Sequence, residues 1–278
     1  VQHMLGELDT ARDTFDTVVQ RSSQIAFHRM EAWGKEGLAT VERDLGRLDN
    51  AITLYTVAIH EAQEIDDPAL IMEATYGLAM CYRERGEHTR ARALLDHGLR
   101  SAQQVEASFE ETRFRLGIGA TLLAEGVPDQ AFPVLEQAVL GSQEAGAVRE
   151  RAIATFLLAA AHFRLKRRVP AAEELATVRG LTEELGYDQF LLVEARQLPD
   201  VVEYAVTRKE IADYYRTIAD RIRPPEEAAD QGAADLPSTF RIRAEAFGGA
   251  RVEVGGRLIE EIEWRSERSK EMFFYLLD

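Results

Sequence analysis

The histidines and the single cysteine are the residues most suited to metal binding or nucleophilic chemistry. None of the six histidines stands in an H-x-x-x-H pair or at a metal-type spacing from Cys81. His162 is predicted to face the interior of a helix pair, and Cys81 lies on an apolar helix face, where a thiol acts as a small hydrophobic group. Acidic pairs such as Glu110-Glu111 have the pattern of a helix surface. The sequence therefore predicts no enzyme, no metal site and no cofactor.

Composition excludes several classes of protein. The net charge of −15 over 278 residues argues against a chain that coats a nucleic acid along its whole length. No apolar run reaches the roughly 20 residues of a membrane span, and the N-terminus does not look like a secretory signal. One cysteine makes an intramolecular disulfide impossible. We therefore expect a cytoplasmic protein with no membrane partner.

A ladder of small residues recurs every 40 positions. Each of four glycines is followed five residues later by an alanine, and a fifth copy keeps the alanine but has lysine in place of glycine. The glycine positions are Gly6, Gly46, Gly86, Gly126 and then Lys166, and the alanines are Ala11, Ala51, Ala91, Ala131 and Ala171. A fixed period of this length indicates stacked helical or mixed units rather than one globular core.

Apolar residues around each glycine recur at spacings of three, four and seven, which is typical of amphipathic helices. Each repeat is therefore predicted to hold two helices, with the glycine in the left-handed conformation at the turn between them. A coiled coil is the alternative, but it would need heptads uninterrupted by glycine-containing turns.

The ladder resembles the tetratricopeptide repeat in its longer form, over residues 1–186. The small-residue positions, the G-x-x-x-x-A turn and the large apolar residue after it carry the resemblance. Only Tyr82 matches the tyrosine usual four residues before the glycine, and the first copy lacks its leading helix, so we expect a fragment of a longer chain. The resemblance implies an all-α, right-handed solenoid of helix hairpins. Gln189–Leu198 is predicted as a short helix ended by Pro199, and Val201–Ile222 as one or two helices that cap the solenoid, giving a repeat domain over residues 1–223.

In such solenoids the first helix of each repeat lines a concave groove, so the resemblance places the binding residues there. The groove is predicted to grade from polar and basic to apolar and aromatic, which suits an extended peptide or an amphipathic helix. Arginines would hold carboxylates, and Tyr, Trp and Met would hold side chains. The predicted groove residues are Trp33, Arg43, Tyr76, Met80, Arg83, Arg113, Phe156 and Phe163.

Several of these residues also have a purely structural interpretation. Phe156 and Phe163 can pack against the capping helices, and Arg43 and Arg83 can pair with acidic neighbours such as Asp44. The residues that we favour as ligand contacts are Tyr76, Met80 and Arg83.

The pattern changes after residue 223. Residues 224–238 are acidic and rich in alanine and proline, so they are predicted to be a flexible linker. Residues 239–278 begin with apolar residues at a period of two, interrupted by Gly248-Gly249 and Gly255-Gly256. This pattern predicts a small β-meander, and Glu267–Leu277 is predicted as one helix after it.

Residues 239–278 resemble the opening of the OmpR-type winged-helix domain of SARP-type and MalT-like bacterial transcription regulators. Trp264, the basic residues Arg268 and Lys270, and apolar residues such as Phe273 carry the resemblance. In that family the recognition helix follows this point, so the resemblance implies a truncated module that does not bind DNA specifically by itself. We expect its apolar side chains to dock on the solenoid or on a second copy, giving a homo-oligomer, or the segment to be poorly ordered.

Two functions fit these observations. The first is the sensor region of a transcriptional regulator, in which a peptide, protein or small-molecule inducer in the groove controls DNA binding by the complete winged-helix domain of the parent protein. The alternative is a generic protein–protein interaction scaffold with no DNA-binding role.

Overall fold

The computed structural model describes His3 and residues 6–223, together with the backbone of residues 242–245, 251–254 and 257–258. The chain divides into two compact units, Val1–Ile222 and Arg223–Asp278. The first unit contains all twelve helices found in the described part of the chain.

Nine consecutive helices of 17 or 18 residues form the repeat region. They are α1 (Leu8–Gln24), α2 (His28–Asp44), α3 (Leu48–Glu64), α4 (Pro68–Glu84), α5 (His88–Gln104), α6 (Ser108–Ala124), α7 (Pro128–Glu144), α8 (Val148–Arg164) and α9 (Arg168–Leu185). Three shorter helices follow, which are α10 (Gln189–Gln197), α11 (Pro199–Val206) and α12 (Ala212–Ile222). Each helix from α1 to α8 packs against the next along the chain.

A residue in the left-handed conformation stands at the turn after each long helix. The glycine ladder supplies it at alternate turns, with φ values of 77–81° at Gly6, Gly46, Gly86 and Gly126 and 62° at Lys166. The intervening turns use the same conformation at Ala26, Asp66, Glu106, Gly146 and Gly186. The turn therefore recurs every 20 residues, and the 40-residue ladder marks every second one.

Small residues allow neighbouring helices to approach closely. Ala51, Ala91 and Ala131 are fully buried. At Gly77 in α4 an added Cβ would lie only 2.2 Å from Cζ of Tyr55 in α3, so the tyrosine ring occupies the space that a side chain would need. The alanines of the ladder and Gly77 are thus helix–helix contact points.

The last helices close the end of the repeat region. The Tyr215 hydroxyl of α12 donates to the Leu175 carbonyl oxygen of α9 at 3.0 Å, and the Tyr204 hydroxyl of α11 donates to the Arg168 carbonyl oxygen at 2.7 Å. Tyr215 is fully buried. Helices α11 and α12 therefore cover α9, the last helix of the repeat region, and a solenoid needs such a cap.

The second unit contains three short strands, β1 (Ile242–Glu245), β2 (Arg251–Val254) and β3 (Arg257–Leu258). They pair antiparallel in chain order, with Ile242 opposite Val254 and Val254 opposite Arg257. The predicted linker over residues 224–238 and the predicted helix over residues 267–277 lie outside the described residues.

The fold class predicted from the sequence requires a correction. It joined the solenoid to a C-terminal β-meander and one helix, whereas the fold that is shown is the all-helical solenoid of the first unit. Strands of four, four and two residues form too small a sheet to be a stable fold of their own.

Candidate functional site

An open cavity of the first unit, which we call the groove, is lined by first helices of successive repeats, by Tyr55 of α3 and by α10. Its walls come from α2, α4, α6 and α8 on one side and from Phe190, Val193 and Glu194 of α10 on the other. It holds about 690 Å³ of empty space, including the solvent at its mouth. Its lining combines aromatic, aliphatic and charged side chains.

Helix α10 is held against the N-terminal repeats by contacts along its length. Arg83 of α4 donates to both carboxylate oxygens of Glu194, at 2.7 and 2.8 Å. Arg196 Nη1 donates to the carbonyl oxygen of Asp44 at 3.2 Å, and the Gln189 side chain packs against Gly6. A non-repeating helix therefore connects the N-terminal repeats to the capping end.

Arg43 lies at the centre of a charged cluster. It contacts Asp44 at 3.1 Å and Glu84 at 3.8 Å, while His3 Nε2 lies 2.7 Å from the second oxygen of Asp44. Burial alone would raise the pKa of Asp44, but Arg43 and the hydrogen bond with His3 outweigh it and lower that pKa. Glu84 Oε1 is buried without a hydrogen-bond partner, and burial raises the pKa of Glu84.

Arg113 links two successive repeats across the groove. Its guanidinium pairs with both oxygens of Glu73, which stands 40 residues earlier in the chain. The same guanidinium lies over the Tyr76 ring, 4.5 Å from its centroid, and the Tyr76 ring in turn meets Phe114 edge-on at 6.1 Å. These contacts fix Tyr76 at the groove wall.

Glu36 of α2 differs from the other charged residues of the groove. Its carboxylate accepts a hydrogen bond from the Thr40 hydroxyl at 3.1 Å, and no ion pair is found for it within the described residues. Burial, and then the negative charge of Glu73, raise the pKa of Glu36 to about 7. A carboxyl group with such a pKa exchanges its proton near neutral pH.

Five of the eight predicted groove residues line the groove together, namely Arg43, Tyr76, Met80, Arg83 and Arg113. Acidic residues from the same repeats and from α10 pair with these arginines. Arg43 and Arg83 have acidic partners, as the structural interpretation of the sequence expected. A role of these residues in binding a ligand stays a prediction.

The other three predicted residues do not line the groove. Trp33 donates its indole N–H to Asp67 at 3.1 Å, which fixes the turn before α4. Phe156 is fully buried in the core. Phe163 packs against Tyr204 of α11 at 5.0 Å between ring centroids, so its aromatic ring belongs to the contact with the capping helices.

The sequence prediction did not select Glu73 or Glu194 of the groove. Glu73 could have been found, because residues 40 positions apart occupy equivalent places in neighbouring repeats and Arg113 stands 40 residues after it. Glu194 gave no such signal, since α10 lies outside the repeat pattern. Within the described residues no cluster of three or more potential metal ligands occurs, and none of the helices described is both long and apolar enough to cross a membrane.

Comparison with known proteins identifies the repeat. Residues 36–106 match the family model of the tetratricopeptide repeat. The repeats in this segment are of the tetratricopeptide type. No curated protein sequence matches the chain.

Solved structures share the fold at low sequence identity. BtubC (BKLC) from P. vanneervenii is 18% identical, with a TM-score of 0.54 over 87% of this chain and 98% of BtubC. A Rap protein complexed with Competence and Sporulation Factor is 14% identical, with a TM-score of 0.56 over 74% of this chain. The Rap conjugation gene regulator of plasmid pLS20, in complex with the Phr* peptide, is 13% identical, with a TM-score of 0.55 over 77% of this chain. The matches span 56% and 57% of the two Rap chains.

These comparisons support a tetratricopeptide-like solenoid for the twelve helices of the described residues. The likeness to BtubC, which covers most of both chains, corrects the mixed fold class that the sequence predicted. The comparisons give no support to the predicted winged-helix domain.

Proposed function

We propose that this protein is a tetratricopeptide scaffold that binds a peptide segment of a partner in the groove. The observation that carries the proposal is the convergence of side chains from three successive first helices on one open cavity. Arg43 comes from α2, Tyr76 and Met80 come from α4, and Arg113 comes from α6. Such a surface offers an aromatic ring, a pliable thioether and fixed charges to an incoming segment.

Two solved structures of similar fold support this use of the groove. The Rap proteins were solved with Competence and Sporulation Factor and with the Phr* peptide, so a solenoid of this kind can hold a small partner. In the present chain α10 forms one wall of the groove. The peptide is therefore expected to be short and to lie between α10 and the first helices of the N-terminal repeats.

Selection from a random peptide library against the full chain tests this function. Selected peptides are expected to lose about tenfold or more in affinity for Tyr76→Ala and for Arg113→Ala, because each change removes a side chain that forms the groove wall. Arg100→Ala is the matched control, since Arg100 is exposed on α5, outside the groove. Affinity can be measured by isothermal titration calorimetry.

Two outcomes contradict the proposal. One is a set of selected peptides whose affinity is the same for both groove variants and for the wild-type chain. The other is a selection in which Arg100→Ala weakens binding as much as Tyr76→Ala does.

We further propose a more specific function, in which this scaffold is the sensor region of a transcriptional regulator. Its support is the sequence resemblance of residues 239–278, together with the similar fold of the pLS20 conjugation gene regulator. Genome-wide DNA-binding measurements on the full-length parent protein test it. Recovery of specific promoter fragments is expected. If none is recovered, the regulator role is contradicted and the proposal of an interaction scaffold remains.

A further inference from the structure

We propose that Glu36 binds the cationic end of a lysine or arginine side chain in the peptide that occupies the groove. This inference rests on the proposed function and names the chemistry of the partner. Three observations support the inference. Glu36 lies on the boundary of two cavities, the other charged side chains that line these cavities are paired, and aromatic rings line the same cavities.

Glu36 lies where the groove meets a second open cavity. Glu36, Thr40 and Glu73 line both cavities, so their side chains form part of the boundary between them. The second cavity is completed by the rings of Phe15 and Phe190 among others. A flexible side chain that enters from a peptide in the groove would therefore reach Glu36 before it reaches the second cavity.

The charged side chains around Glu36 form ion pairs with one another, and none of them forms one with Glu36. Glu73 is neutralised by Arg113, and Arg149 lies 3.0 Å from Glu150. His3 and Arg43 share the carboxylate of Asp44.

Arg83 pairs with Glu194, and Glu84 lies 3.8 Å from Arg43. Among the described residues that line the two cavities, Glu36 is thus the charged side chain without an ion pair. Glu36 is partly buried, and an ionised carboxylate withdrawn from water without an ion pair is costly unless it is protonated or a cation arrives.

Aromatic rings beside Glu36 favour the same class of ligand. Tyr187 and Phe190 meet edge-on with centroids 5.6 Å apart, and both line the second cavity. Arg149 already lies over one face of Phe190 at 5.7 Å, which shows that this ring accepts a cation. A cavity lined by both a carboxyl group and aromatic rings suits an ammonium or guanidinium group with an aliphatic stem.

The protonation of Glu36 makes cation binding dependent on pH. Burial raises its pKa to about 7, so a cation that binds the ionised form must compete with a proton. The charged groups that act on Glu36 are Glu73 from α4, Arg113 from α6 and Arg43 from α2. Arg149 of α8 and His3 line the same cavity. We expect the cation to bind more tightly at pH 8 than at pH 6.

The probes for the test are N-acetylarginine methylamide and its uncharged counterpart N-acetylcitrulline methylamide. Binding to the full chain is measured by NMR titration at pH 8. The arginine probe is expected to bind about tenfold more tightly than the citrulline probe, because a charge-assisted hydrogen bond is lost in the neutral compound. Glu36→Gln should abolish this preference, and Glu64→Gln is the control because Glu64 is exposed on α3.

A second measurement tests the inference even if both probes bind weakly. The pKa of Glu36, followed by carbon-13 NMR of its carboxyl group, should fall when the arginine probe is added. An unchanged pKa at high probe concentration, or equal binding of the arginine probe by wild-type and Glu36→Gln chains, overturns the inference. Library peptides that need Tyr76 but bind Glu36→Gln with full affinity would overturn it while leaving the proposed function intact.

Discussion

Arg83 and Glu194 form a bidentate ion pair across 111 residues of sequence, with both N–O distances below 2.9 Å. Both side chains are buried, and Arg83 Nε has no hydrogen-bond partner. The pair fixes α10, which does not belong to the repeats, against α4 in the middle of the solenoid. The shape of the groove therefore depends on this contact.

Removal of one partner of this pair should destabilise the chain strongly. Arg83→Met leaves the Glu194 carboxylate buried without a counter-ion, so we expect the free energy of unfolding to fall by about 3–5 kcal/mol. The double variant Arg83→Met/Glu194→Leu should lose less, because no charge is left unpaired. Urea unfolding followed by circular dichroism measures both.

The exposed pair of Arg85 with Asp49 provides the control. Their side chains are 39% and 90% exposed, so Arg85→Ala should cost below about 1 kcal/mol. Equal destabilisation by Arg83→Met and Arg85→Ala would show that the buried pair does not hold α10.

The turn at Lys166 should gain stability from glycine. Lys166 has φ of 62°, a conformation that costs a residue with a Cβ about 1 kcal/mol. Lys166→Gly should therefore raise the free energy of unfolding by about 1 kcal/mol, offset in part by the greater flexibility of glycine in the unfolded chain. The reverse change at the equivalent turn, Gly126→Lys, should lower it by a similar amount, because φ is 77° there and nothing lies within 4 Å. Changes of the same sign in both variants would contradict this account.

Two helical glycines should respond to alanine in opposite ways. At Gly77 the new methyl group would meet the buried Tyr55 ring, so Gly77→Ala should cost about 1–3 kcal/mol. At Gly180, exposed on α9, nothing lies within 4 Å, and Gly180→Ala should stabilise by about 0.5–1 kcal/mol. Differential scanning calorimetry of the two variants compares them directly. A Gly77→Ala chain that melts above the wild type would refute the close helix contact.

The stability of the chain should depend on pH through Glu36. The carboxyl group ionises near pH 4.5 in the unfolded chain but keeps its proton to about pH 7 when folded. The unfolded state therefore loses its proton first, and the free energy of unfolding falls as pH rises between these values and levels off above pH 7. The full contribution is up to about 3 kcal/mol, at about 1.4 kcal/mol for each pH unit.

Glu36→Gln isolates this contribution because glutamine does not titrate. The variant should gain stability relative to the wild type as pH rises from 4.5 to 7, measured by urea unfolding at each pH. A difference between the two chains that is constant over this range would contradict a raised pKa at Glu36.

The repeat region could be predicted from the sequence because its contacts are local and recur. The glycine ladder marked the turns within the helix pairs correctly, and the structure shows left-handed residues there. The cluster Asp66-Asp67-Pro68 indicated a break between repeats, whereas the turns at Ala26 and Glu106 escaped prediction because their residue types do not favour the left-handed conformation. Periodicity thus predicted helices better than it predicted their turns.

The groove could be predicted only in part. Arg43, Tyr76, Met80, Arg83 and Arg113 lie together because they occupy related positions in neighbouring repeats. Their acidic partner Glu194 comes from a helix outside the pattern, whose place depends on long-range packing that no spacing in the sequence records. The sequence therefore showed which helices form the groove but not what closes it.

Hydrogen exchange on the full chain, with and without a library-selected peptide, tests the central claim that the groove is the binding site. Protection on peptide addition is expected in the stretches of α2, α4 and α6 that line the groove, around residues 36–43, 73–84 and 113–116. Protection confined to α3, α5 and α7, with these stretches unchanged, would contradict it.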